Sequence, residues 1–396
     1  MRTGTHPGLK GARLRGVDVA RAVALIGMMG THLLPELDAQ GRVTPWFWFA
    51  GGRASALFAV LAGVSLALST GGRTPRLRPA RAVVVRVVVR SAAIAVVGLA
   101  LVQLDPPIAV ILVNYALLFV LGLPLLWLRP ALLLAGGAAW ALVMPLVSQS
   151  WRLNLPPGPG PQPAFHDVLD QPLDLLTRLT LTGYYPVLTW LAYLAVGVAV
   201  GRMSLRRKRT AWTLTITGAG LAVAAMLVSR WLLDVAGWQR LVVAGPQQVV
   251  LPSLGAGQLE LRGLYGTTPT TSWWWQVVAS AHSGTTLDLV GAIGSALLVL
   301  GLALLVCDRR LGRLGDGVVG ALAATGSMTL TLYTVHVVAA DAQQHVVHRG
   351  MLLATHVAVA VLLAVLWRRS FARGPMEQVV HTLSTAAAAG FGRVRA

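Results

Sequence analysis

Asp18, Arg21 and His32 stand in one apolar run, VDVARAVALIGMMGTHLL. A charged group inside a membrane span costs at least about 2.5–3.5 kcal/mol on insertion scales, so it faces a cavity or a partner. Arg21 and His32 are eleven positions apart, which on a helix is within about 20° of full turns and about 16 Å of rise. Asp18, three residues before Arg21, falls on the same face. One stripe of this helix is therefore polar along most of its length. Either Asp18 and Arg21 pair at the interface while His32 caps the far end, or the stripe lines a polar path. The cost of intramembrane charge favours the path.

Other apolar runs carry polar residues at matching depths. Arg53 follows Trp46 into its run by about 10 Å, too deep to snorkel easily. It serves either as a structural partner for Asp288 or a helix C-terminus, or as a contact for an anionic or polyhydroxy acceptor. Thr329, Tyr333 and His336 recur at i, i+4 and i+7, one helical face. His282 and Asp288 open another run from the same side. A lone histidine in such a place is ordinarily a packed core residue, but several polar positions on different runs favour a shared vestibule in which Arg53, His282, Asp288 and His336 surround His32. On the opposite side Arg86 and Arg90 lie one turn apart, where snorkelling is the ordinary explanation. Asn114 and Tyr115 are placed to hydrogen-bond into the bundle. His345, His348 and His356 lack a companion Cys/His/carboxylate set at ligand spacing, so no metal is expected.

The elements that position these residues are membrane spans. Of 396 residues 55% are hydrophobic and only 12% charged, with a mean hydropathy of +0.67. Ten apolar runs follow one another: 17–34, 46–69, 82–103, 107–128, 130–149, 186–203, 211–233, 285–306, 319–340 and 350–367. Disorder, secreted disulfide scaffolds and ordinary cytosolic enzymes are excluded. The net charge of +19 does not form a soluble nucleic-acid patch, because the arginines sit in short loops between apolar runs. With the N-terminus in the cytosol, 22 basic loop residues lie inside against seven outside, so both termini are expected to be cytoplasmic. The 206–209 cluster is assigned to topology and anionic lipid. The single cysteine, Cys307, permits no internal disulfide. The basic-then-apolar start is like a signal sequence, yet it carries Asp18 and Arg21 and no small-residue cleavage site follows, so an uncleaved first span is expected. Two outer loops are long, 150–185 and 234–284; the second ends in Trp273, Trp274 and Trp275, read as interfacial belt in preference to a sugar platform. Residues 1–373 are read as one transmembrane domain and 374–396 as a cytoplasmic tail able to form an amphipathic surface helix. The fold class is all-α, a polytopic transmembrane bundle of about ten spans in the cell membrane.

Arg21, ten intervening residues and His32 resemble the Arg-x10-His pattern of membrane acyltransferases. In that superfamily the histidine is catalytic and the arginine serves the acyl donor. The chain more widely resembles the bacterial branch of the heparan-α-glucosaminide N-acetyltransferase-like and YeiB-like proteins. The blocks that carry this are VDVARAVALIGMMGTHLLP, GGRASALFAVLAGVSLAL, YYPVLTWLAYLAVGVAVGR, HSGTTLDLVGAIGSALLVLG and GSMTLTLYTVHVV, in that order. One departure stands out: the lysosomal enzyme carries Asn where this chain has His32, and its own histidine lies beyond. The same offset here reaches Val43, which cannot act. Either His32 does the chemistry, or Glu36 or Asp38 in the first outer loop contributes.

The resemblance implies an integral-membrane acyltransferase. It would take an acyl group, acetyl by preference, from cytosolic acyl-CoA to an extracytoplasmic carbohydrate or cell-envelope glycolipid. Arg21, Arg86 and Arg90 would bind the donor phosphates; His32 would be general base or acylated nucleophile; Arg53, His282, Asp288, Tyr333 and His336 would hold the acceptor, with Asp18 and Asn114 in support. Membrane lipid is an expected partner, nucleic acid is not, and a homodimer stays open. A transporter or lipid-linked sugar flippase is the alternative, opposed by the lack of visible broken-helix segments in corresponding halves. A relative that has lost catalysis and serves in assembly is a third.

Overall fold

Val-, Leu- and Ala-rich runs with interspersed glycine have the length of helices and none of the turn-bounded alternation of strands. The computed structural model describes residues 14–72, 81–156, 158–237, 240–241, 264–266, 268–343, 345 and 348–393; among them the only β pairing is the isolated bridge between Leu37 and Val43. The helices are α1 (Arg15–Leu33), α2 (Pro45–Ala50), α3 (Arg53–Ser69), α4 (Arg81–Val102), α5 (Leu112–Leu121), α6 (Pro130–Trp151), α7 (Phe165–Asp170), α8 (Pro172–Thr177), α9 (Val187–Gly201), α10 (Lys208–Leu232), α11 (Thr286–Cys307), α12 (Gly312–Gly326), α13 (Thr329–Ala342), α14 (Arg349–Ser370) and α15 (Pro375–Arg393). The expected all-α transmembrane bundle is the observed fold. Among the described residues six helices are long and apolar enough to cross a membrane, and eight spans result if each of two bent pairs counts as one. The other two expected runs hold α1, with its charges, and α5, whose 10 residues rise only about 15 Å.

One bend adds helix within the expected outer loop 150–185, and the other breaks an expected span. One lies between Pro172–Thr182 and Val187–Gly201, at 56°; the other divides the expected 319–340 run into α12 and α13, at 77°. The second falls at the Gly326–Ser327 pair, a local kink signal, and tertiary contacts hold it. At Gly326 the chain passes directly over α1: a Cβ there would collide with the Asp18 carbonyl and come 2.9 Å from the Ala22 nitrogen. The helix turns away at Ser327 and Met328, and the first amides of α13 find a partner far along the chain. Leu330 and Thr331 donate their N–H groups to Glu377 Oε1 at 2.8 and 3.2 Å, and the Thr331 hydroxyl donates to Oε2 at 2.6 Å. A carboxylate at a helix N-terminus meets both the orphan donors and the helix dipole. The tail helix α15 is thereby tied to α13 while packing along α4.

α1 is central, touching α2, α3, α11, α12, α13 and α14. α3 and α11 are mostly enclosed, whereas α4, α6, α10 and α14 leave about two-thirds of their apolar windows on the outside, facing what must be lipid. Small residues set the closest crossings. Gly63 on α3 and Gly197 on α9 face each other, and a Cβ on Gly63 would stand 2.8 Å from the Val198 nitrogen. We call the two ends of the bundle the His32 end and the Asp18 end.

The described parts of the long loops include residues that line the cavity at the His32 end, and they carry contacts of their own. Arg178 is buried and bridges Asp167 and Asp174, each at 2.8 Å, while donating to the Pro161 carbonyl at 2.9 Å. Gln162 closes over the α4–α5 connection, donating to the Ile108 carbonyl at 3.1 Å and accepting the Val110 N–H at 2.7 Å. In the second loop Trp275 is fully buried against Leu233, Leu241 and Val278, so this member of the tryptophan triplet is core. Trp274 carries the Arg240 guanidinium 4.9 Å above its ring, and Trp273 is exposed.

Candidate active site

A cavity of about 370 Å³ opens at the His32 end. α1 gives it Met28, Thr31 and His32; the α2–α3 corner gives Phe47, Gly52 and Ser55; the loops give Glu36, Tyr184, Tyr185, Tyr265 and His282. Two of the loop residues hold left-handed backbone conformations uncommon for non-glycine residues: Tyr265 at φ 43° and His282 at φ 57°. Their geometry is held by neighbours. The His282 carbonyl accepts the Gly266 N–H at 2.7 Å, and the Tyr185 ring stands edge-on to His282 at 5.6 Å. The Tyr265 hydroxyl donates to Glu36 Oε2. Tyr185, Trp190, Tyr193 and Tyr115 continue inward as edge-to-face contacts, giving the cavity a rigid aromatic wall.

His32 lines this space. Its Nδ1 lies 3.0 Å from His336 Nε2, with the rings within 13° of parallel. Of the expected vestibule residues, the structure brings two to His32 and sets two outside the cavity lining. His282 lines the cavity with His32, and His336 stands directly behind His32. Arg53 donates to the Trp48 carbonyl and lies over the Trp48 ring at 5.8 Å. Asp288 accepts the Gly284 N–H at 3.0 Å. Arg53 and Asp288 feel each other's charge, but neither is among the lining residues, nor is Tyr333. The Tyr333 hydroxyl accepts the Ile111 N–H at 3.4 Å, and Asn114 donates to the Tyr185 carbonyl at 3.0 Å. Both therefore shape the wall from behind.

Toward the Asp18 end, Arg21 is pinned. One guanidinium nitrogen donates to Asp18 Oδ1 at 2.7 Å and the other to the Ser65 hydroxyl on α3. Arg90 lies 5.4 Å over the Phe119 ring, and its charged neighbours are Arg21 and Glu377. Arg86, Arg90 and Arg373 are within charge range of His381 on α15. The three expected donor arginines thus occupy one region between α1, α4 and α15. Leu25 and Met28 stand between Arg21 and His32 on the α1 face, both buried.

Of the two acids, Glu36 reaches the cavity and Asp38 does not. Asp38 instead organises its loop: Oδ1 accepts the N–H groups of Gln40 and Arg42 at 2.9 and 2.8 Å, and Oδ2 takes Arg42 Nε at 2.9 Å. The Arg42 backbone N–H, with that of Gln40 and the guanidinium, holds its carboxyl below the ordinary value. Sequence reasoning missed Tyr184, Tyr185 and Tyr265, which carry no charge to mark them. It also weighed His356 only as a metal ligand; the signal was a histidine well inside the last apolar run.

The comparisons with known proteins fit this layout. The family model described as Heparan-alpha-glucosaminide N-acetyltransferase, catalytic, matches residues 13–236, more than half of the chain. This chain belongs to that family. A second model, Protein of unknown function (DUF418), matches residues 259–387, in keeping with the expected YeiB-like resemblance. A comparison with curated proteins gave no match. The protein is a multi-pass membrane member of an acetyltransferase family. Its cavity draws on both matched regions: His32, Glu36 and the two tyrosines come from the acetyltransferase match, Tyr265 and His282 from the other.

Proposed function

We propose that the protein transfers an acyl group, acetyl by preference, from cytosolic acyl-CoA to a carbohydrate or glycolipid on the far side of the cell membrane. The single observation that carries this is His32: it opens into a polar, aromatic-walled cavity at one end of α1 while Arg21 stands on the same face toward the other. Arg21, Arg86 and Arg90 form a basic region suited to the phosphates of the donor. The His32 end is taken as extracytoplasmic from the loop charges. An extended thioester arm would run along α1 past Leu25 and Met28, so donor binding must displace those side chains. The acceptor would lie between His32 and the tyrosine wall, with Glu36 and His282 as polar contacts and Arg53, Asp288, Tyr333 and His336 supporting from behind. His32 acts as general base on the acceptor or as nucleophile toward the acyl carbon.

The test is acyl-CoA-dependent transfer by purified protein against a panel of amino sugars and sugar hydroxyls. His32→Ala should lower turnover by about 10²–10⁴-fold or more while donor binding persists. Wild-type turnover in folded His32→Ala would defeat the proposal. The two bent helix pairs favour one competing reading, since broken helices bind substrates in transporters. Substrate uptake into proteoliposomes without acyl transfer would select it.

A further inference from the structure

Three histidines on three helices form one hydrogen-bonded row behind the cavity. His32 Nδ1 lies 3.0 Å from His336 Nε2, His336 Nδ1 lies 2.8 Å from His356 Nδ1, and His356 Nε2 lies 2.8 Å from Gln343 Oε1. The last member decides the protons. A carboxamide oxygen only accepts, so His356 Nε2 carries the proton and its Nδ1 is bare. His336 must then donate from Nδ1 to that bare nitrogen, which leaves its own Nε2 bare. His32 in turn donates from Nδ1 to His336 Nε2. We propose that Gln343, His356 and His336 are positioning residues that hold His32 as its Nδ1–H tautomer, so that Nε2 faces the cavity with its lone pair.

Two other arrangements satisfy the same contacts, and each fails on an observation. A reversed row needs the Gln343 amide turned over to present its NH2 group to His356, whereas the structure sets the oxygen there. A charged His336 could donate in both directions, but it is 2% exposed and hydrogen-bonds to two imidazoles, with no carboxylate to balance a charge among these partners. An uncompensated buried charge is costly. The neutral row matters for the reaction because only a bare Nε2 can accept a proton or attack a carbonyl. When Nε2 takes the proton of the acceptor hydroxyl or amine, the oxygen or nitrogen bonds to the acyl carbon and the bond from that carbon to the donor's leaving group breaks. The proton then passes from Nε2 to the leaving group. Throughout, the Nδ1–H bond to His336 steadies the ring and disperses its transient charge. The row stores no proton of its own, since Gln343 cannot keep one.

This inference rests on His32 as the residue that meets substrate, so its first test needs no turnover. Diethyl pyrocarbonate acylates a bare imidazole nitrogen: the N–C bond forms, the ring's other proton is lost, and ethyl carbonate leaves as ethanol and carbon dioxide. The readout is the mass gain on the peptide Ala22–Arg42, whose one histidine is His32, from the purified full chain. In His336→Leu the rate should fall about tenfold or more, because the ring can then turn its proton toward the cavity. His336→Gln should recover most of it, since the Gln oxygen accepts the same N–H. Gln343→Lys, remote from the cavity and half-buried in origin, offers only donors. It should invert the row and slow the reaction as strongly, with Gln343→Met near half the wild-type rate. Wild-type reactivity in folded His336→Leu or in Gln343→Lys, or equal rates in His336→Leu and His336→Gln, would overturn the proposal. If His336→Leu does not fold, the Gln343 pair decides alone. Where transfer is measurable, the slowed variants should lose kcat with donor KM unchanged. Failure to find any transfer, with the reactivity order intact, would count against the acyltransferase reading and not against the row.

Discussion

Arg21 shows how much of a residue's role is set by what holds it. Its guanidinium spans Asp18 on its own helix and Ser65 on α3, a fork that a lysine ammonium cannot reproduce. Arg21→Lys should therefore raise the donor dissociation constant by about tenfold, near 1.4 kcal/mol, with His32 reactivity unchanged. Arg21→Ala should in addition destabilise the fold by up to about 3 kcal/mol, because the buried Asp18 loses its ion pair with Arg21 and Ser65 on α3 loses its donor. Adding Asp18→Asn should restore much of the thermal stability and none of the donor binding, which a thermal melt and a binding titration would separate. The two loop acids differ in the same way. Glu36→Gln should weaken acceptor handling, since Glu36 lines the cavity, whereas Asp38→Asn should act on the loop alone. Asp38 has a lowered native pKa, so its stabilisation is present above the ordinary Asp value of about 3.9 and is lost as pH falls through the native value. Amide exchange in 37–43 should be faster in Asp38→Asn than in wild type at pH 7, and the difference should vanish in acid. A difference that persisted at low pH would show that the carboxylate is not its source.

Among the elements, α13 is the one whose position decides the site, because it carries His336 and ends against its C-cap Gln343. Its start is set by two distant contacts: the close pass of Gly326 over α1, and Glu377 receiving the first amides. Gly326→Ala would push α12 off α1 and should cost about 1–3 kcal/mol or more as overpacking. Glu377→Ala would strip the N-terminal partners of α13 and should cost about 1–2 kcal/mol, the range of a lost helix cap. Both should lower the melting temperature. Glu377→Ala should also loosen α15 from α4, which limited proteolysis after Arg373 would report. If α15 stays protected in that variant, its packing along α4 holds it without the carboxylate.

For the whole molecule, the proposed orientation can be tested directly. A cysteine at Gln162 on a Cys307→Ser background should label from outside the cell only; labelling from the cytosol alone would reverse the assignment. The matching position for that test, Gly255, lies outside the described residues. What was legible in the sequence is the part that local composition dictates. Membrane spans need long apolar runs, and each expected run holds helix, because the bilayer core leaves backbone groups no partner but the helix itself. The stripe of Asp18, Arg21 and His32 was legible too, since helical periodicity alone puts them on one face. What only the tertiary structure decided are relations between residues far apart in the chain. The Gly326–Ser327 pair permits a bend near residue 326, but its 77° goes with the close pass over α1 and the Glu377 contact, which lie far off in the chain. Nothing near His32 announces His336, His356 and Gln343, because a hydrogen-bonded row across three helices depends on how those helices rotate against one another. Tyr184, Tyr185 and Tyr265 went unmarked because an uncharged aromatic is ordinary in a membrane span, and only the folding of two loops over one helix end makes them a wall.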